Sequence, residues 1–279
     1  MTANSVVRPY CLVCFVAFSA SVSSICEGQL RPLEPISWRL YQRNARVSGE
    51  IGASRLEGQR ASLAGTSGDL TEIGNFSLAW RTGRVILEAA GTAQRYFRER
   101  ERFAAPYEDV TESNSGRRHD SGDYRLSTVV RLTPDHWRAV GALRFGTRLP
   151  ATDNTTGLDR DAVDFFATVG GRRSFGGLVF TGESGLGIHT TRDTRFEQDD
   201  LLLYALGAEY HRFFIIPSVA ALGQLHGNAH AAIRGVENLG EVRFGIRAGS
   251  RRWIRFEVVS GYEIFSPSTG VIVTAGLLR

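Results

Sequence analysis

Histidine and carboxylate pairs are the residues in this sequence that come nearest to a catalytic group. Glu183 with His189, and Glu209 with His211, share one face of two neighbouring predicted strands. With a serine nucleophile they could supply the acid and base of a hydrolase that acts on outer-membrane lipid. Ser184 follows Glu183, but this stretch lacks the final glycine and the strand-to-helix turn of a nucleophile elbow. The sequence therefore predicts no enzyme, and a lipid hydrolase is kept as an alternative.

The histidines and cysteines do not favour a metal site. His226 and His230 are four residues apart, a spacing that aligns two ligands on a helix, but they lie in a predicted loop. The chain has 3 cysteines in 279 residues, all of them before residue 27. This excludes a disulfide framework and a cysteine-based zinc site. We expect no metal and no cofactor.

Arginine carries all of the basic charge, because none of the 33 basic residues is lysine. The net charge of +4 is spread along the chain, so we expect no nucleic-acid partner. Many arginines instead share a face of predicted strands with glutamates. Enclosed charges are costly unless they pair or face water, so they either form ion-pair ladders that fill an interior or line a wet channel. The residues expected to line this interior are Arg125, Arg131, Arg138, Arg144, Arg148, Glu183, Glu209, Arg243, Arg247, Arg255 and Glu257.

Alternation with period two indicates β-strands through most of the chain. In residues 253–264, for example, Ile254, Phe256 and Val258 alternate with Arg255 and Glu257. Most of the predicted strands are longer than those of soluble sheets and are long enough to cross a bilayer at a tilt. The twelve predicted strands are 45–56, 70–80, 84–97, 123–133, 136–148, 162–171, 177–190, 199–212, 214–225, 236–249, 252–264 and 268–278.

The connections between these strands alternate in length. Tight turns follow the second, fourth, sixth, eighth and tenth strands, whereas longer polar segments follow most odd strands. Segments 57–69 and 98–122 are examples, and the second is highly charged, so we expect it to be external and mobile. An outer-membrane barrel with short periplasmic turns and long outer loops has this pattern.

The first residues of the chain have the order of a secretory signal. Arg8 precedes an apolar run at 11–22, and small residues follow it. We predict a signal peptide at 1–26 with an approximate cut site, a periplasmic lead at 27–44 and the barrel at 45–279. The barrel is then located in the bacterial outer membrane.

One segment resembles a known family. Residues 145–165, FGTRLPATDNTTGLDRDAVDF, are similar to a strand, turn and outer loop in outer-membrane barrels of the phenol-degradation meta-pathway family, often described as transporters. The resemblance implies passage of hydrophobic or aromatic compounds. Ala151-Thr152 departs from the Thr-Gly order of that family. The residues that match in type are Arg148, Leu149, Pro150, Asp153, Gly157 and Leu158.

These observations predict an all-β protein, a single antiparallel transmembrane barrel of about 12 strands after a signal peptide. We expect a narrow pore for small solutes, with outer-membrane lipid and the barrel assembly machinery as partners. A closed barrel with a structural or surface-interaction role is the alternative from another class. The chain ends in Leu277-Leu278-Arg279 rather than in the aromatic residue usual for such barrels.

Overall fold

Strands dominate the computed structural model of the chain. It describes residues 30–42, 45–61, 63–103, 115–134, 137–150, 154–158, 162–190, 198–226, 238–261 and 268–279. The predicted signal peptide and the segment 104–114 lie outside these ranges. The strands are β1 (Val47–Ala61), β2 (Thr66–Thr82), β3 (Val85–Arg102), β4 (Arg117–Asp120), β5 (Tyr124–Arg131), β6 (Ala139–Leu149), β7 (Asp164–Phe175), β8 (Leu178–Thr190), β9 (Gln198–Tyr210), β10 (Ile215–His226), β11 (Leu239–Gly249), β12 (Arg252–Gly261) and β13 (Thr269–Leu278).

The strands close into one antiparallel barrel. Neighbours in sequence pair with each other, and β13 returns to pair with β1. β4 and β5 occupy a single place beside β3, because Asp120 pairs with Arg95 and Tyr124 pairs with Gly91 in an unbroken register. The barrel therefore has twelve strand positions, which confirms the predicted fold class.

Short turns gather at one end of the barrel, which we call the short-turn end. The connections there are 83–84, 132–138, 176–177, 211–214 and 250–251, at the places predicted. The opposite end is called the loop end. The prediction of a long connection at 57–69 was wrong, because β1 and β2 continue to Ala61 and from Thr66. Part of 98–122 is also strand, since β3 continues to Arg102 and β4 begins at Arg117.

The outer and inner faces differ as the alternation predicted. Ile254 is 63% exposed on the outer face, and Phe256 and Val258 are exposed with it. Glu257, between them, is only 6% exposed because it points inward. Apolar exposed side chains continue around the barrel on almost every strand: Ile51, Leu78, Leu87, Leu126, Phe145, Val169, Leu186, Leu206, Val219, Phe244 and Val273.

Residues 30–42, the lumen segment, run through the interior of the barrel. Leu30 and Ile36 are each 3% exposed and Leu40 is fully buried, although these residues belong to no strand. A one-turn helix, α1 (Arg39–Gln42), ends the segment. The described residues of the lead predicted at 27–44 therefore lie inside the barrel. No helix in the described ranges is long and apolar enough to cross a membrane.

Candidate functional site

The lumen segment extends from the loop end to the short-turn end. At the loop end, the Gln59 side-chain amide donates a 2.6 Å hydrogen bond to the carbonyl oxygen of Leu30. At the other end, Arg81 donates a 2.9 Å hydrogen bond to the carbonyl oxygen of Leu40. The Tyr41 hydroxyl there donates to the carbonyl oxygen of Arg84, in the turn between β2 and β3. Each end of the segment is thus fixed to the wall at the matching end of the barrel.

The middle of the segment is held by carboxylates and an arginine of the wall. Glu183 accepts a 2.8 Å hydrogen bond from the backbone amide of Ile36. Arg144 lies on β6, which β7 separates from β8, and it donates a 2.9 Å hydrogen bond to the carbonyl oxygen of Glu34. Pro32 and Pro35 have no amide hydrogen to satisfy. The charged wall therefore supplies the partners that a neighbouring strand would otherwise provide.

Close approach of the segment to the wall depends on a glycine. A Cβ atom at Gly170 would lie 2.9 Å from the indole of Trp38 and 3.0 Å from Ile36. Both distances are shorter than ordinary van der Waals contact, so glycine leaves the space these side chains occupy. Gly170 on β7 thus accommodates the centre of the lumen segment.

Ion pairs connect the segment with several strands. Arg31 and Glu34 sit near the loop-end half of the segment and Arg39 near the short-turn end. These side chains form ion pairs with residues of β1, β2 and β11, so the segment contacts strands on more than one side of the barrel. The pairs are Arg31–Glu72 at 3.2 Å, Arg31–Glu241 at 3.5 Å, Glu34–Arg243 at 2.8 Å and Arg39–Glu50 at 2.8 Å.

Two apolar clusters lie at the two ends of the lumen, and the segment contributes to both. The lower apolar cluster, at the short-turn end, contains Ile36, Trp38, Leu40, Ala45, Ala79, Ile86, Val129, Val140, Ala142, Trp253 and Leu278. The upper apolar cluster, at the loop end, contains Leu30, Leu56, Ala61, Ala64, Leu70, Phe97, Leu158, Val259 and Ile272. Apolar constrictions of this kind exclude water from a narrow pore.

A cavity of about 350 Å³ lies between the clusters. The lumen segment forms one side of it and the barrel wall the other. Seven of the residues predicted to face the interior line this cavity: Arg125, Arg144, Arg148, Glu209, Arg243, Arg255 and Glu257. Glu183 and Arg247 are buried beside it, where Glu183 pairs with Arg144 at 2.6 Å and Arg247 with Glu209 at 3.2 Å.

The remaining two predicted residues are placed differently. Arg131 is the last residue of β5, and its guanidinium lies 5.7 Å from the centre of the Tyr41 ring at the short-turn end, away from the cavity lining. Arg138 does not face the lumen. It is exposed in the connection 132–138, because β6 begins one residue later, at Ala139, rather than at 136.

Several partners of the wall arginines were missed by the sequence analysis. Arg148 pairs with Asp164 at 2.8 Å and with Asp123 at 3.1 Å, and Arg95 pairs with Glu72 at 3.2 Å. Glu72 lies on the inward parity of β2 and could have been found from alternation. Asp123 precedes β5 and follows no periodic pattern, so only the structure reveals its position.

The histidine and carboxylate pairs do not meet in one cluster. His189 pairs in register with Asp199 near the loop end of β8. His211 follows β9 at the short-turn end and contacts Glu209, whose register partner is Val179, near the start of β8. The two histidines therefore lie at opposite ends of the barrel. Within the described ranges there is also no group of three or more His, Cys, Asp or Glu residues able to hold a metal ion.

Comparison with solved structures supports the same barrel fold. The chain is similar to the COG4313 outer membrane channel from Pseudomonas putida F1, with a TM-score of 0.58 and 10% identity over 84% of this chain and 96% of that one. Outer membrane phospholipase A from Escherichia coli gives a TM-score of 0.46, at 15% identity over 83% and 90% of the two chains. The toluene transporter TodX from Pseudomonas putida gives 0.41, at 8% identity over 90% and 98%.

Sequence comparison assigns this chain to no family. No family model matches the chain. No curated protein matches it either. At 10% identity the likeness to the Pseudomonas putida F1 channel concerns the fold alone, so the resemblance of residues 145–165 to the phenol-degradation family stays a prediction.

Proposed function

We propose that this chain is a bacterial outer-membrane barrel that forms a narrow conduit for small solutes, and that the lumen segment keeps the conduit closed at rest. The observation that carries the proposal is the lumen itself: a charged cavity of about 350 Å³ bounded at both ends by apolar clusters. The COG4313 outer membrane channel, which is similar to this chain in fold, is a barrel of the same kind.

The outer face supports a membrane location. Exposed apolar side chains surround the barrel, and large aromatics are exposed near its ends. Trp80, Trp137, Phe213 and Phe214 belong to the short-turn end, and Tyr96 lies toward the loop end. Aromatic residues favour the two interfaces of a bilayer. We infer that outer-membrane lipid covers this face and that the barrel assembly machinery inserts the chain.

The charged lumen supports a conduit rather than a solid core. Replacing buried ion pairs by well-packed apolar residues is often neutral or stabilising, so stability alone does not explain a lumen rich in arginine and glutamate. A water-containing path does, because charges that line it interact with solutes and with water. Hydrophobic or aromatic solutes are the class that the family resemblance implies.

A closed structural barrel is the second candidate. The observation that favours it is the course of the lumen segment, which extends through the whole interior and is tied to the wall at both ends and in the middle. If the segment never moves, the barrel conducts nothing.

Conductance in planar bilayers separates the two candidates. The intact mature chain is compared with a variant that lacks residues 30–42, and both are first shown to be folded by their altered gel migration without boiling. We expect the intact chain to be closed most of the time with brief openings, and the deletion variant to conduct continuously at a level at least several-fold higher. A complete lack of openings in the intact chain would support the structural barrel, and equal conductances would show that the segment does not close the lumen.

A further inference from the structure

Among the arginines of the cavity, Arg125 is the exception. Eight arginines line the cavity, and seven of them have a carboxylate oxygen within 4.0 Å: Arg31, Arg39, Arg95, Arg144, Arg148, Arg243 and Arg255. Within the described part of the chain, the Arg125 guanidinium forms neither an ion pair nor a hydrogen bond. One positive charge in the lumen is therefore left for a ligand.

The position of Arg125 directs its side chain into the cavity. Tyr124 and Leu126, on either side of it in β5, are exposed on the outer face, so alternation points Arg125 inward. Its register partner on β6 is Arg148, which is buried and already holds two aspartates. Arg125 thus lies beside a second positive charge, and the two aspartates at that place are already paired with Arg148.

The two carboxylates that attract Arg125 most strongly already have other partners. Glu34 and Glu88 act on it most strongly among the acidic groups. Glu34 pairs with Arg243 at 2.8 Å. Glu88 accepts hydrogen bonds from the Ser127 hydroxyl at 3.0 Å and from the backbone amide of Ser37. Neither carboxylate comes within 4.0 Å of the guanidinium nitrogens of Arg125.

An apolar surface borders the same cavity. Leu33 of the lumen segment packs against Phe166 and Leu203, and all three residues line the cavity. The register places Phe166 opposite Gly146 and Gly146 opposite Ser127, two residues along β5 from Arg125. A Cβ atom at Gly146 would lie 2.6 Å from the Phe166 ring, so the glycine allows that ring to lie across β6 toward Arg125.

We propose that Arg125 binds the carboxylate of a small organic monoanion in this cavity, with the body of the ligand against Leu33, Phe166 and Leu203. The guanidinium fork matches a carboxylate in a bidentate geometry. One unpartnered arginine suits a single negative charge, and a volume of about 350 Å³ is at the small end of ligand pockets. Transport of this ligand would depend on the proposed conduit. Its binding at Arg125 does not depend on it.

Calorimetric titration of the folded full chain in detergent tests the site. The probes are benzoate, its neutral analogue benzamide and inorganic phosphate. We expect benzoate to bind more tightly than the other two probes, and Arg125→Gln to weaken its affinity at least tenfold. Arg138→Gln, the same change at an exposed arginine outside the lumen, is expected to leave the affinity unchanged.

Several results would overturn the proposal. These are no binding of benzoate, equal binding of benzamide, unchanged affinity in Arg125→Gln, or phosphate binding as tightly as benzoate. Arg125→Lys, which keeps the charge and loses the fork, should weaken benzoate binding by an intermediate factor and serves if the Gln variant does not fold. If benzoate binding depends on Arg125 but the chain shows no conductance, the proposed ligand site stands and the proposed conduit is wrong.

Discussion

The lower apolar cluster and the surroundings of the cavity above it are built from opposite kinds of side chain, although both lie inside one barrel. In the cluster, Leu40, Ile86 and Val129 are completely excluded from solvent. Beside the cavity, Arg144 and Glu183 are almost as hidden, at 4% and 6% exposure, but they are joined by a 2.6 Å ion pair. Apolar side chains gain free energy by excluding water, whereas charged ones are tolerated only with partners. The ends of the lumen thus exclude water, and its middle keeps charge.

The lumen segment belongs to both kinds of region. It supplies Leu30 to the upper apolar cluster and Trp38 with Leu40 to the lower one, and its Glu34 joins the charged middle. Displacement of this segment would therefore remove side chains from both apolar clusters at once. If the chain is the proposed conduit, its opening depends on this segment.

The largest effect is expected from breaking the charged middle at Arg144. Arg144→Gln leaves Glu183 without its 2.6 Å partner and weakens the bond to the carbonyl oxygen of Glu34. Removing one partner of a buried ion pair costs about 3–5 kcal/mol. Urea unfolding in detergent should show this loss. Arg138→Gln, at an exposed position, should change the unfolding free energy by less than about 0.5 kcal/mol, and equal losses would contradict the account.

A smaller loss of stability, with a change in function, is expected from the lower apolar cluster. Leu40→Ala removes a fully buried side chain, which costs about 2–5 kcal/mol in protein cores and is expected here near the lower limit, because the segment can shift. The closure should also leak, so bilayer conductance should rise. A stable variant with unchanged conductance would show that the lower cluster does not close the lumen.

The smallest effect is expected at the loop end. Gln59→Ala removes the hydrogen bond from the Gln59 side chain to the carbonyl oxygen of Leu30. A typical neutral hydrogen bond contributes about 0.5–1.5 kcal/mol, and leaving the carbonyl unpaired adds to the loss. Thermal unfolding should show a modest decrease in the midpoint temperature. Conductance should change little, because the upper apolar cluster remains. A loss as large as that of Arg144→Gln would reverse the order of the two regions.

The strands were predictable because each has one face in contact with the interior. Alternation in Ile254, Phe256 and Val258 is a local signal, and it identified all twelve strand positions within a few residues. Boundaries were less certain. A strand start placed three residues early put Arg138 in the lumen, whereas it lies in a turn. Arg138 has the same parity as the inward-facing Ala142 and Arg144, but alternation orients a side chain only within the strand.

The place of the lumen segment could not be predicted in this way. Residues 30–42 show no repeating apolar pattern, and Pro32 and Pro35 lack the amide hydrogen that pairing as a strand would need. Their position depends on partners distant in sequence, such as Glu183 for the amide of Ile36 and Arg243 for Glu34. Such complementarity is visible only once the barrel has closed. The unpartnered state of Arg125 is likewise a property of the assembled lumen.

Trypsin digestion of the folded protein tests most directly whether the segment occupies the lumen. Arg39 is a cleavage site within it, because Leu40 follows it, and its side chain is only 13% exposed. Mass spectrometry should find the bond after Arg39 intact in the folded barrel and cut after unfolding by heat. Rapid cleavage after Arg39, while the barrel keeps its folded gel migration, would place the segment outside the lumen and contradict its position inside the barrel.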